Sequence, residues 1–241
     1  IRKESLPLRS SLESLVQASV ERRRRHGSQG LMLDGHRLAR IGVMDPRVFL
    51  QRTQTMHPDT AVHILVDRSP SMSALVTRPE GGSARRIDLA WEATLALTLA
   101  LEAIPGVNPA ITAFPGAMGE STRVYRVLPH GRRLNEVRDH LGSDLDGSTP
   151  LAEALFYAAS ELLGTSCQRK IILCLTDGIP DDQEAALSML ENIRASEILV
   201  CGIGLALDVD RIFGPSISIA DLGELKTALF DLCRFLLTTP H

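Results

Sequence analysis

Two runs of residues, Ala61 to Val66 and Lys170 to Leu175, constrain the fold of this 241-residue chain more than any other feature. Each is apolar almost without interruption, and each leads into an aspartate, Asp67 directly and Asp177 after Thr176. A strand that is apolar on consecutive positions, rather than on alternate ones, is buried on both faces, as the central strands of a parallel sheet are. Helical and extended patterns alternate around these runs from Thr60 onward. Ile87 to Ile104 predicts a well-covered helix stopped by Pro105-Gly106, and Val107 to Phe114 with Arg123 to Leu128 predicts two strands paired at an edge. Leu134 to Leu141 predicts a short helix. Pro150 opens another, whose Leu151, Ala154, Leu155, Ala158 and Leu162 share a face. Asp182 to Ala195 (helix), Glu197 to Ile203 (strand) and Ser216 to Ala220 (strand) continue the alternation, and Leu222, Leu225, Leu229, Leu232 and Leu236 mark a closing helix. The expected fold is α/β and doubly wound: a mostly parallel central sheet with helices on both faces and one antiparallel edge strand.

Residues 1–59 lack these runs, and we expect a mostly helical or irregular lead-in there, with short helices over Ser11 to Arg25 and His36 to Ile41. The main domain is expected to span 60–241. With 44% hydrophobic residues, 4% aromatic residues and a formal charge of −3, the chain has an ordinary globular composition and no overall attraction for nucleic acid or membranes. The one basic run, Arg22 to Arg25, lacks interleaved aromatics and reads as a solvated helix face. Leu95 to Ile104 is too short to cross a bilayer. The chain starts at Ile1 and has no basic-then-apolar leader, so we expect a piece of a longer cytoplasmic protein without an export signal. Cys167, Cys174, Cys201 and Cys233 are too scattered for a zinc site and are expected to be buried free thiols.

In a parallel α/β sheet, ligands bind beyond the carboxyl ends of the strands near the point where strand order reverses. Asp67 and Asp177 each end a central strand, and Thr149 precedes a helix that feeds one of them. The three loops are therefore expected to gather Asp67, Ser69, Ser71, Thr149 and Asp177. All offer oxygen and none offers nitrogen or sulfur, which suits a hard cation such as Mg²⁺, or Mn²⁺ or Ca²⁺. Singly, each has a plainer reading: Thr149 before Pro150 suits a helix N-cap, and Asp67 and Asp177-Gly178 suit turns.

Asp67-Arg68-Ser69-Pro70-Ser71, followed by Thr149 in Asp146-Gly147-Ser148-Thr149-Pro150-Leu151 and Asp177 in Thr176-Asp177-Gly178, resembles the von Willebrand factor A family with its metal-ion-dependent adhesion site. The resemblance covers the chain from about Thr60. It implies that Ser69, Ser71 and Thr149 coordinate the ion directly, that Asp67 and Asp177 act mostly through water, and that a Glu or Asp of a bound protein completes the shell. Arg68, Pro70, Met72, Ser148 and Gly178 would then meet that protein. Pro70 departs from the family, in which Gly is common at this place. A loop that required a positive φ or an N–H there would be weakened by proline.

Leu33-Asp34-Gly35-His36-Arg37-Leu38-Ala39-Arg40 and Asp45-Pro46-Arg47-Val48-Phe49 resemble the C-terminal region of NorD, CbbO and, more distantly, CobT-type proteins. That resemblance implies a non-catalytic adaptor that grips a target for a MoxR-type AAA+ ATPase hexamer, with Rubisco or nitric oxide reductase as targets in the group, or a metal-chelatase subunit in the CobT branch. Other classes fit less well. A haloacid-dehalogenase phosphatase needs Asp where Ser69 stands, Gly202-Ile203-Gly204 is an incomplete dinucleotide fingerprint, and no G-x-S-x-G motif marks a serine hydrolase. Nucleic-acid binding rests on the arginine run alone.

Overall fold

In the computed structural model, residues 25–27, 32–33, 49–51, 59–77, 82–116, 124–136, 145, 147–205, 209–213, 216–219, 227–228 and 231 are described. The chain divides into two compact units, one of Gln17–His57 and one of Ile1–Val16 with Pro58–His241. In the smaller unit the described residues form three short strands, β1 (Arg25–Gly27), β2 (Met32–Leu33) and β3 (Phe49–Gln51), with β3 in the middle and both pairings antiparallel. Arg25, the expected end of a helix, instead opens β1 and pairs with Gln51. Strands of two or three residues show no period of their own, and pairing with distant residues defines them. The remainder of that helix, and the one expected over His36 to Ile41, lie outside the described residues.

In the larger unit the first apolar run is β4 (Thr60–Asp67), with all eight residues buried. A small antiparallel pair follows, β5 (Leu75–Thr77) and β6 (Ser83–Arg85), which leads straight into helix α1 (Arg86–Glu102). Then come β7 (Val107–Phe114), β8 (Tyr125–Leu128), α2 (Leu151–Leu163) and β9 (Arg169–Thr176). The succession ends with α3 (Gln183–Ala195), β10 (Leu199–Leu205), the short α4 (Asp210–Phe213) and β11 (Ser216–Ile219). Of the helix expected over Leu134 to Leu141, a 3-10 turn at Leu134–Glu136 is described and the rest is not. Of the closing helix, Thr227, Ala228 and Asp231 are helical, and its leucines lie outside the described residues.

The six-stranded sheet has the order β11-β10-β9-β4-β7-β8. Every pairing is parallel except β7 with β8, which makes β8 the antiparallel edge strand. The doubly wound α/β architecture expected from the sequence is thus the one observed. Alternate β4 residues feed two cores. Val62, Ile64 and Val66 pack in the core that holds Ile87, Trp91, Leu97 and Leu101 of α1. Ala61 and Leu65 pack in the core that holds Leu151, Leu155 and Leu162 of α2 with Leu190 and Ile193 of α3. Burying each such Leu or Ile side chain contributes about 1.5–3 kcal/mol, so the central strands are anchored from both sides. Gly202 on β10 has a packing reason, since a Cβ there would lie 2.3 Å from the Phe213 ring. Cys167, Cys174 and Cys201 are free and buried, as expected, and Cys233 lies outside the described residues. Among the described residues, no helix is long and apolar enough to cross a membrane.

The first strand in this sheet, β4, is also its topological switch: the chain moves to β7 on one side and later returns to β9 on the other. Loops leaving the carboxyl ends of β4 and β9 diverge there and leave a crevice.

Candidate functional site

Asp67 ends β4 fully buried, and its two oxygens hold two different loops. Oδ1 accepts the Ser69 N–H at 2.7 Å, which folds the chain back just after the strand. Oδ2 accepts the Thr176 hydroxyl at 2.5 Å, and the Thr176 oxygen accepts the Gly178 N–H at 3.1 Å. The carboxyl ends of β4 and β9 are therefore tied together by a relay through Thr176, a residue the sequence reading did not single out.

Ser69 leads into a 3-10 turn at Pro70–Ser73, with Pro70 in its first turn. Proline suits that place because its φ is already helical and the N–H it lacks has no partner in the first turn. Among the described residues, positive φ outside glycine occurs only at Glu197, so Pro70 departs from the family pattern without strain. The Ser73 hydroxyl donates to the Pro70 carbonyl at 2.7 Å and closes the turn. Ser71 donates its hydroxyl proton to Asp177 Oδ1 at 2.6 Å. The Ser69 and Ser71 hydroxyls lie 2.9 Å apart in hydrogen-bond contact. Each serine hydroxyl has two lone pairs, so both oxygens have acceptor capacity.

Thr149 does not cap its helix: Pro150 is the N-cap of α2, with no side-chain cap bond. Instead the Thr149 backbone is clamped by Asp181, whose Oδ1 accepts the Thr149 N–H at 3.0 Å and whose N–H donates to the Thr149 carbonyl at 3.1 Å. Asp181 and Asp182, alike in sequence, thereby have different tasks. Asp182 is the N-cap of α3 and accepts the Ala185 N–H at 2.9 Å.

The point where these loops meet is marked by Gly178. A Cβ built on that glycine would lie 3.4 Å from Thr149 Oγ1 and 3.6 Å from both Asp67 Oδ2 and Ser69 Oγ. Oxygens from the Asp67–Ser69 loop and the Thr149 loop thus border one small space on the Gly178 loop that a methyl group would fill. Ser71 and Asp177 join the cluster through their bonds to Ser69 and to each other. Asp67, Ser69, Thr149 and Asp177 are buried, whereas Ser71, Pro70 and Ser148 are exposed. The cradle is recessed with an open side. Burial pushes the Asp67 carboxyl up to about 6, against the lowering effect of its bonds to Thr176 and Ser69. A nearby cation would favour the ionised form.

The donor set fits a hard divalent cation: three hydroxyls and two carboxylates, with no sulfur or imidazole. Among the described residues, no group of three or more His, Cys, Asp and Glu offers another metal site. Two expectations for the rim are corrected. Met72 is fully buried within the hydrophobic core, and Arg68 is 3% exposed, its guanidinium 5.8 Å from the centre of the Tyr125 ring. Neither presents a side chain to a partner, because the turn after Asp67 points both inward. Pro70, Ser148 and the half-buried Gly178 remain at the rim. Ile179 and Leu75 were not foreseen: Ile179, just after Gly178, is 69% exposed, and Leu75, the first residue of β5, is 68% exposed. Arg86, also unforeseen, donates from Nη1 to Asp177 Oδ2 at 2.8 Å.

No family profile matches the sequence. Solved structures do share its fold. The pilus adhesin SpaC of Lactobacillus rhamnosus GG superposes with a TM-score of 0.64 at 14% identity, over 77% of this chain and 31% of that one. The PilB minor pilin of Streptococcus sanguinis gives 0.61 at 15% identity, over 79% of this chain and 64% of that one. This chain therefore spans less than two thirds of either protein. The von Willebrand factor domain of a type V pilus tip protein from Porphyromonas gingivalis gives 0.54 at 10% identity, over 74% of this chain and 95% of that domain. At these identities the likeness is one of fold alone, and the fold is like that of a von Willebrand factor domain.

Proposed function

We propose that this chain is a docking domain that grips a target protein through a divalent cation, Mg²⁺ or one of its substitutes Mn²⁺ and Ca²⁺. Ser69, Ser71 and Thr149 would hold the ion, with Asp67 and Asp177 orienting water around it, and a Glu or Asp of the target would take the remaining place. The observation that carries the reading is the convergence of Thr149, Asp67 and Ser69 oxygens on the space beside Gly178. When bound, the ion supplies a positive charge that draws the target's carboxylate. The residues themselves position it: neutral hydroxyls leave it electrophilic, and buried carboxylates fix their neighbours. Exposed Ile179 and Leu75 supply apolar area after Gly178 and at the start of β5.

The domain has no chemistry of its own in this reading. It serves as a cytoplasmic adaptor, with a MoxR-type AAA+ ATPase hexamer supplying the work and the domain choosing the target. The resemblance of Leu33 to Phe49 to NorD- and CbbO-type proteins supports that assignment. Calorimetry with Mg²⁺ and Mn²⁺ tests the metal site. Asp67→Ala is expected to weaken binding about 10- to 100-fold, as loss of a residue that orients metal ligands does, and equal affinity in both proteins would sink the assignment. Pull-down from native extract with Mg²⁺, compared with EDTA, tests the partners: capture of an ATPase and a target only with Mg²⁺ is the expected result.

A further inference from the structure

We propose that Arg86 sets the charge of the site, weakening its hold on the metal and strengthening the hold of the loaded site on a carboxylate. The inference rests on the metal-docking reading above.

Arg86 is the first residue of α1, and its N–H donates to the Ala74 carbonyl at 3.0 Å, which fixes it beside the Pro70 turn. A cation at a helix N-terminus opposes the helix dipole, so this position is sustained by something else. That something is Asp177, whose fully buried side chain accepts the Arg86 Nη1–H at 2.8 Å. The Arg86 side chain is 23% exposed, so the guanidinium joins the buried carboxylate to solvent. Its Nε is buried and has no hydrogen-bond partner among the described residues. Adjacent Arg85 takes no part, being held by Asp88 through two bonds of 2.9 and 2.8 Å.

The consequence follows from charge. With Asp67 and Asp177 ionised, Arg86 leaves the empty cradle with one negative charge in place of two. A divalent cation converts that to one positive charge, which a single incoming carboxylate neutralises. Without Arg86, the loaded site has one positive charge fewer and pulls less on an anion. Arg86 therefore acts in opposite directions on the two ligands: like charge opposes the metal, and opposite charge assists the carboxylate. A residue that merely braced the loops would move both affinities the same way.

The test is calorimetric titration of the whole chain with Mn²⁺, at constant ionic strength and matched free Mn²⁺, in chloride and in acetate. Arg86→Gln is expected to bind Mn²⁺ about five- to tenfold more tightly than wild type in chloride, the size of effect expected when a like charge a few ångströms away is removed. Acetate is expected to tighten Mn²⁺ binding by wild type and by Arg86→Lys, which keeps the charge, and to do so less in Arg86→Gln. Equal or weaker Mn²⁺ binding by Arg86→Gln would overturn the inference alone. Should Arg86→Gln fail to fold, the wild-type comparison still decides, since no gain from acetate overturns the inference. Absence of Mn²⁺ binding by wild type would instead overturn the docking reading and carry the inference with it.

Discussion

At Gly178 the missing side chain matters more than any side chain nearby. Its hypothetical Cβ falls among Thr149 Oγ1, Asp67 Oδ2 and Ser69 Oγ at distances of 3.4 to 3.6 Å, which are ordinary contacts. Alanine should therefore fold as well as glycine while placing a methyl group in the space proposed for the ion. We expect Gly178→Ala to change stability by less than about 0.5 kcal/mol and to weaken Mn²⁺ binding at least about tenfold. Thermal melts and Mn²⁺ titration check the two halves separately, and unaltered metal affinity would remove the space beside Gly178 as the binding place. The positions of Asp67, Ser69, Ser71, Thr149 and Asp177 were legible in the sequence because short spacing fixes the first three and strand ends fix the last. Arg86, Thr176 and Asp181 were not. Arg86 lies 91 positions from Asp177, and nothing in Arg85-Arg86 says which arginine turns toward the crevice. Asp181-Asp182 presents the same difficulty, since either residue suits a helix N-terminus and only geometry assigns the clamp to one and the cap to the other.

Elements ended by strong local signals were also legible. Val107–Phe114 is where the apolar run placed it, and Pro105-Gly106 stops α1 as expected, with Gly106 at a φ of 85° that only glycine adopts freely. The β5–β6 pair and the three strands of the smaller unit were not, because strands this short are defined by pairing and not by pattern. One helix end departs from the usual residue choice. After α3, the Ile198 N–H reaches the Ile193 carbonyl at 3.3 Å and the Glu197 N–H reaches the Arg194 carbonyl at 3.0 Å, with Ile193 and Ile198 both in the core. This is the Schellman arrangement, which calls for a left-handed residue at its turning point, usually glycine. Here that residue is Glu197, with φ 59°. Glu197→Gly is expected to stabilise the fold by about 0.5–1 kcal/mol, since the left-handed strain exceeds the entropy cost of glycine. Urea unfolding reads this directly, and a destabilised variant would show that the glutamate side chain does more than occupy the turn.

For the whole molecule, the feature with the widest reach is a buried histidine in the central strand. His63 accepts from the Thr112 hydroxyl at 2.9 Å and lies 3.3 Å from His130 Nε2, while His130 Nδ1 lies 3.1 Å from the Asn108 carbonyl. That carbonyl can only accept, so His130 carries its proton on Nδ1, and His63 donates from its own Nδ1. Burial, with the His130 charge adding to it, lowers His63 from 6.5 to about 3, and burial lowers His130 as well. A depressed folded-state value means that the unfolded chain takes up the proton first. The stability that neutral His63 contributes is therefore complete above about pH 6.5 and is lost as pH falls toward 3. Unfolding free energy should decline by up to about 1.4 kcal/mol per pH unit from this group. Denaturant titrations between neutral and mildly acidic pH should show a shallower decline in His63→Gln, and identical slopes would exclude His63 as the source.

The placement of β4 and β9 has a mechanical side as well. The cradle hangs from the carboxyl ends of two adjacent parallel strands, and each is hydrogen-bonded to neighbours on both sides along its length. Tension applied to a guest in the cradle runs along those strands and loads many backbone bonds together in shear, rather than peeling them apart one after another. A pull on a guest held there would meet the sheet along its strongest axis.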